Sequence, residues 1–558
     1  MRGDLGAARP RGWSEPGRTT LELRTGGWRT HRPQYVEATA PCRPACPARE
    51  PIARWIERAR AGDWAGAWAL IREENPLPAV TGRVCAHPCE SACNRRAWDG
   101  AVAINALEQF VGDWGLLYGT ASRTAGTRRE RIAVAGGGPS GLACAYHLAR
   151  LGYGVTVVER EAELGGLLRY GIPEYRLPRA VLDRELELIV ALGVEVMTGQ
   201  AVGPGFAWAE AGYDALYLAT GAQVPLRLAV PGAEGDHVGD GLAFLRAVNS
   251  GVEPALGRRL VVVGGGSTAM DVARTARRLG VPSVTVLALE DRGAMPAIPD
   301  EVEQAEAEGV LIRNGLGVTA FWLEAGVLAG VVATPAHAER APSGAIRPVF
   351  HAASPQGIEA DRVLLAIGQE PDLGNLPPGL GVEDGIVLLD AHGRTGTPRV
   401  FAGGDLASRQ RTVAHAIGAG TRAARAIHRA LAGAASAPAT EPRAAAARLD
   451  HTVEPSVIAT HAFPPSRRAV RWERLPGLRV TSFVEVTEGL GEHAARAEAE
   501  RCFTCGRCVL CDICLRVCPD MAIVRDDGGY RVSTDHCKGC GLCARECPRG
   551  ALEMVEER

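Results

Sequence analysis

The cysteines constrain most strongly what this chain can fold into. Ten of its sixteen cysteines lie within residues 502–547, and eight of these ten form a pattern that occurs twice. Each copy has three cysteines spaced three residues apart and a fourth cysteine four residues later, directly before a proline. Three thiolates on one tight loop hold three irons of a cubane, and the fourth thiolate reaches the other cluster.

This spacing is typical of bacterial two-cluster ferredoxins, so we expect a small α+β ferredoxin-like domain over residues 501–558. The pattern assigns one [4Fe–4S] centre to Cys508, Cys511, Cys514 and Cys547, and the other to Cys537, Cys540, Cys543 and Cys518. The alternative is a pair of zinc sites, although zinc does not need eight cysteines in a duplicated pattern.

Composition limits the class of protein. The chain has 558 residues, which predicts about three to five domains. Its net charge of −2 argues against a nucleic-acid partner. The first residues lack the apolar core of a signal peptide, and no window offers about 20 apolar residues for a membrane span. We therefore expect a cytoplasmic protein without a membrane partner, in which cysteines bind metal or carry redox chemistry.

A dinucleotide fingerprint occupies residues 131–161. An apolar strand runs into a glycine-rich turn, a helix follows, and a second strand ends at an acid, Glu159. The glycines allow the backbone to approach a pyrophosphate, the helix N-terminus supplies N–H groups, and the acid accepts the ribose hydroxyls. The turn carries the candidate residues Gly136, Gly138, Pro139, Ser140 and Gly141.

A second fingerprint lies at residues 258–290, again between a strand and a helix. Its candidate residues are Gly264, Gly266, Ser267 and Thr268, with Ala269 in the third glycine position. Two such units predict an α/β core with a flavin domain and a nicotinamide domain. The alternative is one binding site and one structural Rossmann unit.

Two shorter motifs favour FAD as the flavin. Thr220 and Gly221 follow an apolar strand, and Gly404 and Asp405 follow another. In flavoproteins with two dinucleotide domains, a late Gly-Asp pair places its carboxylate on the flavin side chain, with a helix start behind it. Elsewhere, this pair would be a simple turn.

Taken together with these motifs, residues 27–433 resemble the small subunit of glutamate synthase and the N-terminal part of dihydropyrimidine dehydrogenase. The large subunit of NADH-dependent ferredoxin:NADP oxidoreductase is also similar. Matching stretches are TGRVCAHPCESACNRR, LGGLLRYGIPEYRLP, VVVGGGSTAMDVARTARRLG, LLAIGQEPD and FAGGDLASRQRTVAHAIGAG. The resemblance implies a helical N-terminal iron–sulfur domain, then FAD and NAD(P) domains with the second inserted in the first. It also implies Arg176 near the flavin, and its stretches carry Gly166 and Gly368 as cofactor-binding candidates.

The resemblance implies two further [4Fe–4S] centres in the N-terminal domain, but the family's upstream Cys-x-x-Cys is missing here. The stretch AEAERCFTCG at 497–506 looks like that missing segment. We therefore expect Cys502 and Cys505 to complete a centre with Cys42 and Cys93. The other centre would use Cys46, Cys85 and Cys89, with Glu108 in place of the family's Glu or Gln ligand.

Alternatives stay open for these ligands. Glu108 would otherwise be a solvated helix residue, and Cys502 and Cys505 would otherwise have a structural or separate redox role. Cys144, between two alanines in a helix, reads as a small core side chain. Without Cys144 fifteen cysteines remain, and Glu108 supplies the sixteenth ligand for four clusters.

The nicotinamide cofactor is expected to be NADH. In the family, NADPH-dependent members place two basic residues where this chain has Leu289 and Glu290, and an acid at Glu290 repels a 2′-phosphate. Arg292 keeps NADPH open as an alternative.

These features predict an iron–sulfur flavoprotein that moves electrons between NAD(P)H, FAD, four [4Fe–4S] clusters and ferredoxin or a partner redox enzyme. The alternative is a non-autonomous subunit of a glutamate synthase, 2-oxoacid oxidoreductase or sulfite-reductase-like complex; an oligomer is left open. The flavin performs the chemistry, so no catalytic side chain is assigned. The expected domains are a lead (1–38), the helical iron–sulfur domain (39–120), the FAD domain (129–240 and 365–433), the NAD(P) domain (241–364), a linker (434–500) and the ferredoxin-like domain (501–558).

Overall fold

The computed structural model describes residues 24–120, 127–340, 346–390, 392–432 and 451–557. Residues 434–450 of the linker expected at 434–500 lie outside these residues. In the described part of the chain, no helix has the length and apolar character needed to cross a membrane.

The N-terminal region begins with a short strand and continues as helices. Strand β1 covers His31–Tyr35. The helices are α1 (Cys42–Ala45), α2 (Ile52–Arg60), α3 (Trp64–Ile71), α4 (Pro78–Val84), α5 (Pro88–Ser91) and α6 (Ile104–Tyr118). Helices α4 and α6 approach closely because Gly82 and Gly112 face the partner's backbone, where an added Cβ would lie 2.4 Å from Gln109 and Ala79, respectively. This region is helical, as the resemblance implies.

The first dinucleotide fold follows. Its strands are β2 (Arg131–Ala135), β3 (Gly154–Val158), β4 (Glu195–Met197) and β5 (Ala215–Leu218). Its helices are α7 (Pro139–Arg150), α8 (Leu167–Tyr170) and α9 (Arg179–Val190). Every residue of β5 is buried, as expected for a central strand of a parallel sheet covered on both faces.

The second dinucleotide fold is inserted after β5. Its strands are β6 (Val224–Pro225), β7 (Val238–Asp240), β8 (Arg259–Val263), β9 (Ser283–Leu287), β10 (Leu311–Arg313), β11 (Leu316–Glu324), β12 (Val327–Arg340), β13 (Ile346–Phe350), β14 (Gln356–Glu359), β15 (Arg362–Leu365) and β16 (Gln369–Glu370). Its helices are α10 (Gly241–Asn249), α11 (Ser267–Arg278) and α12 (Pro299–Ala307). The parallel sheet has the order β10-β9-β8-β15-β7, and β11 to β14 form an antiparallel sheet. The predicted boundaries, 241–364, leave out β7, which pairs with β15.

The chain then returns to the first fold. After β17 (Val382–Glu383) and β18 (Ile386–Val387), strand β19 (Val400–Ala402) joins the edge of β5 and gives the sheet order β19-β5-β2-β3-β4. Helix α13 (Val413–Ala432) packs against α7, and Gly420 permits the contact because a Cβ there would lie 2.1 Å from the Ser140 carbonyl oxygen. The insertion of one dinucleotide fold in the other agrees with the predicted order.

The C-terminal region contains helices α14 (Pro476–Arg479), α15 (Glu492–Glu500), α16 (Ile513–Val517) and α17 (Leu542–Arg545), and strands β20 (Ile523–Asp526), β21 (Gly529–Val532) and β22 (Leu552–Glu556). Strand β1 pairs antiparallel with β22. Residues 1–38 were predicted to be an N-terminal lead that precedes the folded domains. In the structure, residues 31–35 instead form β1, which completes the ferredoxin-like domain by pairing with its last strand, β22.

Candidate flavin, nucleotide and iron–sulfur sites

A cavity of about 390 Å³ opens at the carboxyl ends of β2, β3 and β5. Ten of the predicted cofactor-binding residues line it: Gly136, Gly138, Pro139, Ser140, Glu159, Gly166, Thr220, Gly221, Gly404 and Asp405. Gly141 lies behind the turn, where a Cβ would meet the Gly136 carbonyl oxygen at 1.9 Å. The first fingerprint, the Thr220-Gly221 pair and the late Gly-Asp pair therefore converge on one cavity.

The glycines that line this cavity leave room for a dinucleotide to approach the backbone. A Cβ on Gly221, whose φ is +74°, would enter open space, and one on Gly138 would come no nearer than 3.9 Å to another heavy atom, the Gly166 Cα. Glu159 closes the turn, because its carboxylate accepts the Gly137 N–H at 2.7 Å and the Glu161 N–H at 2.8 Å. The acid is thus held where a ribose would meet the glycine turn.

Asp405 differs from an ordinary surface carboxylate. Burial raises its pKa to about 6, against the opposing effect of the Arg411 guanidinium. Arg411 and Thr412 line the same cavity from the two positions before α13. Sequence reasoning missed both residues, although their position between the Gly-Asp motif and the helix that follows it offered a signal.

Arg246 is a further cavity residue that the motifs did not indicate. It lies on α10 of the inserted fold and forms an ion pair with Glu161 of the first fold. Because these residues are 85 positions apart in the chain, no local pattern connects them.

The second fingerprint forms a similar turn. Gly264 has a φ of +139°, and a Cβ there would lie 2.3 Å from the Ala366 carbonyl oxygen. Nothing lies within 4 Å of a Cβ on Gly266. Ser267 accepts a hydrogen bond from the Ile298 N–H at 3.4 Å, and Thr268 is exposed in the first turn of α11. This surface can hold a second dinucleotide.

Glu290 lies against that turn. Its Oε2 atom is 2.4 Å from the Cβ position of Gly265, and this buried oxygen accepts no hydrogen bond from the described residues. Buried carboxylate oxygens are usually hydrogen-bonded, so this one is a candidate acceptor for a donor of a bound ligand. Arg292 is turned to the surface, where it pairs with Glu306 at 2.7 Å.

Arg176 was expected near the flavin, but the structure places it between the two dinucleotide folds. Its guanidinium pairs with Asp271 of α11 at 2.6 Å and with Glu301 of α12. Burial lowers the pKa of Arg176, but the two carboxylates outweigh burial, and the pKa is raised above its usual value. Gly368, with a φ of +117°, accepts the Leu226 N–H at 3.1 Å where the chain crosses between the folds. Both residues join the folds, and neither is among the lining residues of the 390 Å³ cavity.

The ferredoxin-like domain groups its cysteines as the spacing predicts. Burial and the neighbouring thiolates of Cys508, Cys511 and Cys547 raise the pKa of Cys514 against the hydrogen bond from Tyr35. Burial and the thiolates of Cys537, Cys518 and Cys540 raise the pKa of Cys543 to about 12. The fourth cysteine of each repeat therefore lies beside the three of the other repeat.

The N-terminal domain and the C-terminal segment share a group of sulfurs. Burial and the neighbouring thiolates of Cys502, Cys505 and Cys93 raise the pKa of Cys42 well above its usual value. Asn94 donates to the Cys505 sulfur at 3.6 Å. The structure thus brings together the four residues proposed for the shared centre.

The other N-terminal group contains Cys46, Cys85, Cys89 and Glu108. Burial raises the pKa of Cys85 to about 12, and the Glu108 carboxylate adds to this. Glu108 is buried and accepts hydrogen bonds from Thr81 and, at 3.0 Å, from Asn75 Nδ2. It is therefore not a solvated helix residue.

In the described ranges, no three His, Cys, Asp or Glu side chains converge as ligands of one metal ion. A [4Fe–4S] cubane takes one protein ligand on each of its four irons. Buried thiols that oppose each other's ionisation require positive charge to become thiolate ligands.

Residues 468–501 fasten the C-terminal segment to the core. Glu498 accepts the Ala103 N–H at 2.7 Å and pairs with Arg501 at 2.7 Å. Arg83 of α4 pairs with Glu485 at 2.8 Å, and Gln304 of α12 donates to Glu473 at 2.7 Å. Residues 468–501, most of which were predicted as part of a linker, therefore form a strap that contacts both the iron–sulfur and nucleotide domains, and its end positions Cys502 and Cys505.

Fold and sites together define an iron–sulfur flavoprotein with a pyridine-nucleotide domain and ferredoxin-like iron–sulfur domains. Residues 131–420 match the pyridine nucleotide-disulphide oxidoreductase family, and the chain belongs to that family. Residues 35–119 match dihydropyrimidine dehydrogenase domain II with its 4Fe–4S cluster, and residues 507–552 match the 4Fe–4S dicluster domain. The predicted family resemblance and fold class are confirmed.

Several curated proteins are similar to this chain over most of its length. The chain is 36% identical over 509 residues to the beta subunit of an NADP(+)-dependent formate dehydrogenase from Moorella thermoacetica, covering 84% of this chain and 71% of the relative. It is 35% identical to the beta subunit of an NADPH-Fe(3+) oxidoreductase from Geobacter sulfurreducens, covering 70% of this chain and 63% of the relative. It is 34% identical to a homologue of the PreT subunit of NAD-dependent dihydropyrimidine dehydrogenase from Salmonella typhi, covering 70% and 90%. The prediction of an NAD(P)H-dependent oxidoreductase is thereby confirmed.

Proposed function

We propose that the chain takes electrons from NADH and delivers them to a protein partner at the ferredoxin-like domain, or works in the reverse direction. One observation carries this proposal: Cys502 and Cys505 lie beside Cys42 and Cys93, and Cys505 is only three residues before Cys508. The flavin-side iron–sulfur domain and the ferredoxin-like domain therefore meet at one group of sulfurs.

Each cofactor has a set of residues that would hold it. FAD would lie in the cavity of Glu159, Gly221 and Asp405, and the nucleotide on the turn of Gly264 and Gly266. When bound, FAD exchanges two-electron for one-electron transfer, and iron–sulfur clusters carry single electrons. Counting the four sulfur groups described above, with Glu108 in one of them, we propose four [4Fe–4S] clusters.

The preference for NADH over NADPH rests on Glu290. Its buried, unpaired oxygen beside Gly265 suits a 2′-hydroxyl donor and opposes a 2′-phosphate. Arg292 is occupied by Glu306 at the surface. The relatives include both NADP- and NAD-dependent proteins, so kcat/KM for NADH and NADPH must be compared on purified protein.

Two kinds of acceptor follow from this arrangement. One is free ferredoxin, which would make the chain a complete oxidoreductase. The other is a partner oxidoreductase subunit, which the names of the relatives favour because three of them are subunits of larger enzymes. We place the partner, whichever it is, at the ferredoxin-like domain because Cys508, Cys511 and Cys540 are exposed there.

The test uses the full chain with reconstituted FAD and iron. NADH should reduce a viologen dye, and adding ferredoxin should show whether ferredoxin is reduced at a comparable rate. Reduction of ferredoxin supports the complete enzyme, whereas activity only with an added oxidoreductase subunit supports the second candidate. No NADH-dependent reduction of the dye, with full cofactor content, would contradict the electron-transfer proposal.

A matched pair of variants locates the exit point. Cys508→Ser with Cys511→Ser should abolish reduction of the protein acceptor while leaving rapid reduction of the flavin by NADH. Cys144→Ser is the control, because Cys144 is buried in α7 away from the four sulfur groups. If both variants reduce the protein acceptor normally, the ferredoxin-like domain is not the exit.

A further inference from the structure

Strand β1 reaches the ferredoxin-like domain from outside the 4Fe–4S dicluster match, which covers residues 507–552. It pairs antiparallel with β22, with Tyr35 opposite Leu552, and the Val36 N–H donates to the Ala551 carbonyl at 3.1 Å. Side chains alternate along a strand, so Pro33 and Tyr35 lie on the same face. That face is turned toward the predicted ligand cysteines.

The Tyr35 hydroxyl lies 3.2 Å from the Cys514 sulfur. Its ring stacks on Tyr530, with the centroids 5.9 Å apart and an interplanar angle of 20°. The Tyr530 hydroxyl in turn donates to Asp512 Oδ1 at 2.6 Å and accepts the Asp512 N–H at 2.8 Å. The strand and the stacked ring thus hold the phenol in place over the cysteine loop.

The other centre receives a different side chain from the same strand. Pro33 lies in a small recess with Cys518, Cys537 and Cys543. Proline carries no side-chain donor and no backbone N–H. Strand β1 therefore offers a hydrogen-bond donor to one group of sulfurs and an apolar ring to the other.

We propose that Tyr35 is a positioning residue that raises the reduction potential of the centre at Cys508, Cys511, Cys514 and Cys547 relative to the other ferredoxin-like centre. A tyrosine hydroxyl is protonated at neutral pH and donates to the ligand sulfur. Hydrogen bonds to cluster sulfurs are among the factors that set the potential. The donor favours the reduced centre because that state carries more negative charge. This inference rests on the proposed function, since it requires both centres.

The test is an EPR-monitored redox titration of the full-length chain with all clusters assembled. Tyr35→Phe keeps the ring and removes only the hydroxyl. We expect the reduction equilibrium constant of one ferredoxin-like centre to fall about tenfold, which is 59 mV for a one-electron couple. The other centres should keep their potentials. Unchanged potentials, or equal shifts at both ferredoxin-like centres, would overturn the inference.

Tyr530→Phe is the matched control, because its hydroxyl contacts Asp512 rather than the Cys514 sulfur. It should leave both potentials unchanged, and a shift as large as that of Tyr35→Phe would mean that loop position sets the potential. If Tyr35→Phe loses a cluster, resonance Raman spectra of the wild type in H₂O and D₂O decide, since a donated proton shifts Fe–S stretches. Fewer than two clusters in the wild-type domain would instead refute the proposed function.

Discussion

The two iron–sulfur regions of this molecule obtain their proposed ligands in different ways. In the ferredoxin-like domain, the eight proposed ligands lie between residues 508 and 547, in two copies of one spacing pattern. In the N-terminal domain, the proposed ligands lie between residues 42 and 108, and two more come from residues 502 and 505. The first region depends on local spacing, and the second depends on the fold bringing distant segments together.

Exposure also differs between the regions. None of the seven cysteines proposed for the N-terminal centres is exposed, whereas Cys508, Cys511 and Cys540 of the ferredoxin-like domain are exposed and its Cys514, Cys543 and Cys547 are buried. A buried centre is protected from solvent, and an exposed one is open to a partner. Under the proposed assignment, Cys502 and Cys505 would complete an interior centre, and the residues that follow them would hold the two outer centres.

The largest expected effect is loss of the shared centre. Cys502→Ser with Cys505→Ser should remove about four of about sixteen irons while the ferredoxin-like EPR signals remain. Cys42→Ser with Cys93→Ser should give the same loss, because both pairs belong to one group of sulfurs. Iron analysis and EPR of the two variants test this. A full iron content in either variant would contradict the shared centre.

The second-largest expected effect concerns the buried ion pair of Arg501 and Glu498, which anchors the C-terminal segment. Arg501→Met leaves the buried Glu498 carboxylate without its charged partner, which should lower the free energy of unfolding by about 3–5 kcal/mol. Denaturation followed by iron release should show earlier loss from the shared centre. The control is Arg507→Met, whose exposed pair with Glu57 is worth about 0–1 kcal/mol. Equal effects of the two variants would show that the anchor is not needed.

The order of iron loss under a chelator gives a smaller contrast. Because Cys508, Cys511 and Cys540 are exposed, the ferredoxin-like centres should release iron first, and the N-terminal centres later. Absorbance at the chelator's iron-complex band, together with EPR, would resolve the phases. The Cys502→Ser/Cys505→Ser variant assigns the shared centre, since its slow phase should shrink. Simultaneous release from all centres would show that burial does not protect the N-terminal group.

The ligands of the ferredoxin-like domain could be predicted from the spacing of cysteines alone, whereas those of the shared centre could not, and the reason is physical. The repeated spacing around Cys508 and Cys537 encodes its own ligand set, because one short loop brings three sulfurs together. The pairing of Cys502 with Cys42 had no such local signal and required a family resemblance. The structure brings these residues together through the strap over residues 468–501, most of which were predicted as part of a linker.

Other features had no readable signal at all. Tyr35 lies in a five-residue strand whose partner is more than 500 residues away, and Pro33 within it weakens the strand pattern. Arg176 was expected near the flavin from the family resemblance, and its ion pairs with Asp271 and Glu301, 95 and 125 residues away, had no signal in the sequence. Periodicity and motif spacing describe neighbours in sequence, so contacts of this range depend on the completed fold.

The smallest effect tests whether the two regions are tuned independently. Asn94 donates to the Cys505 sulfur at 3.6 Å and to the Val453 carbonyl at 2.8 Å, so Asn94→Leu should remove a weak donor from the shared centre. Its reduction should become less favourable by under about 1 kcal/mol, with the ferredoxin-like potentials unchanged. Tyr35→Phe should give the reciprocal result in the same redox titration. If either variant shifts the reduction potentials of centres in both regions, the centres respond as one electrostatic unit. The potentials of the interior and outer groups are then not tuned independently.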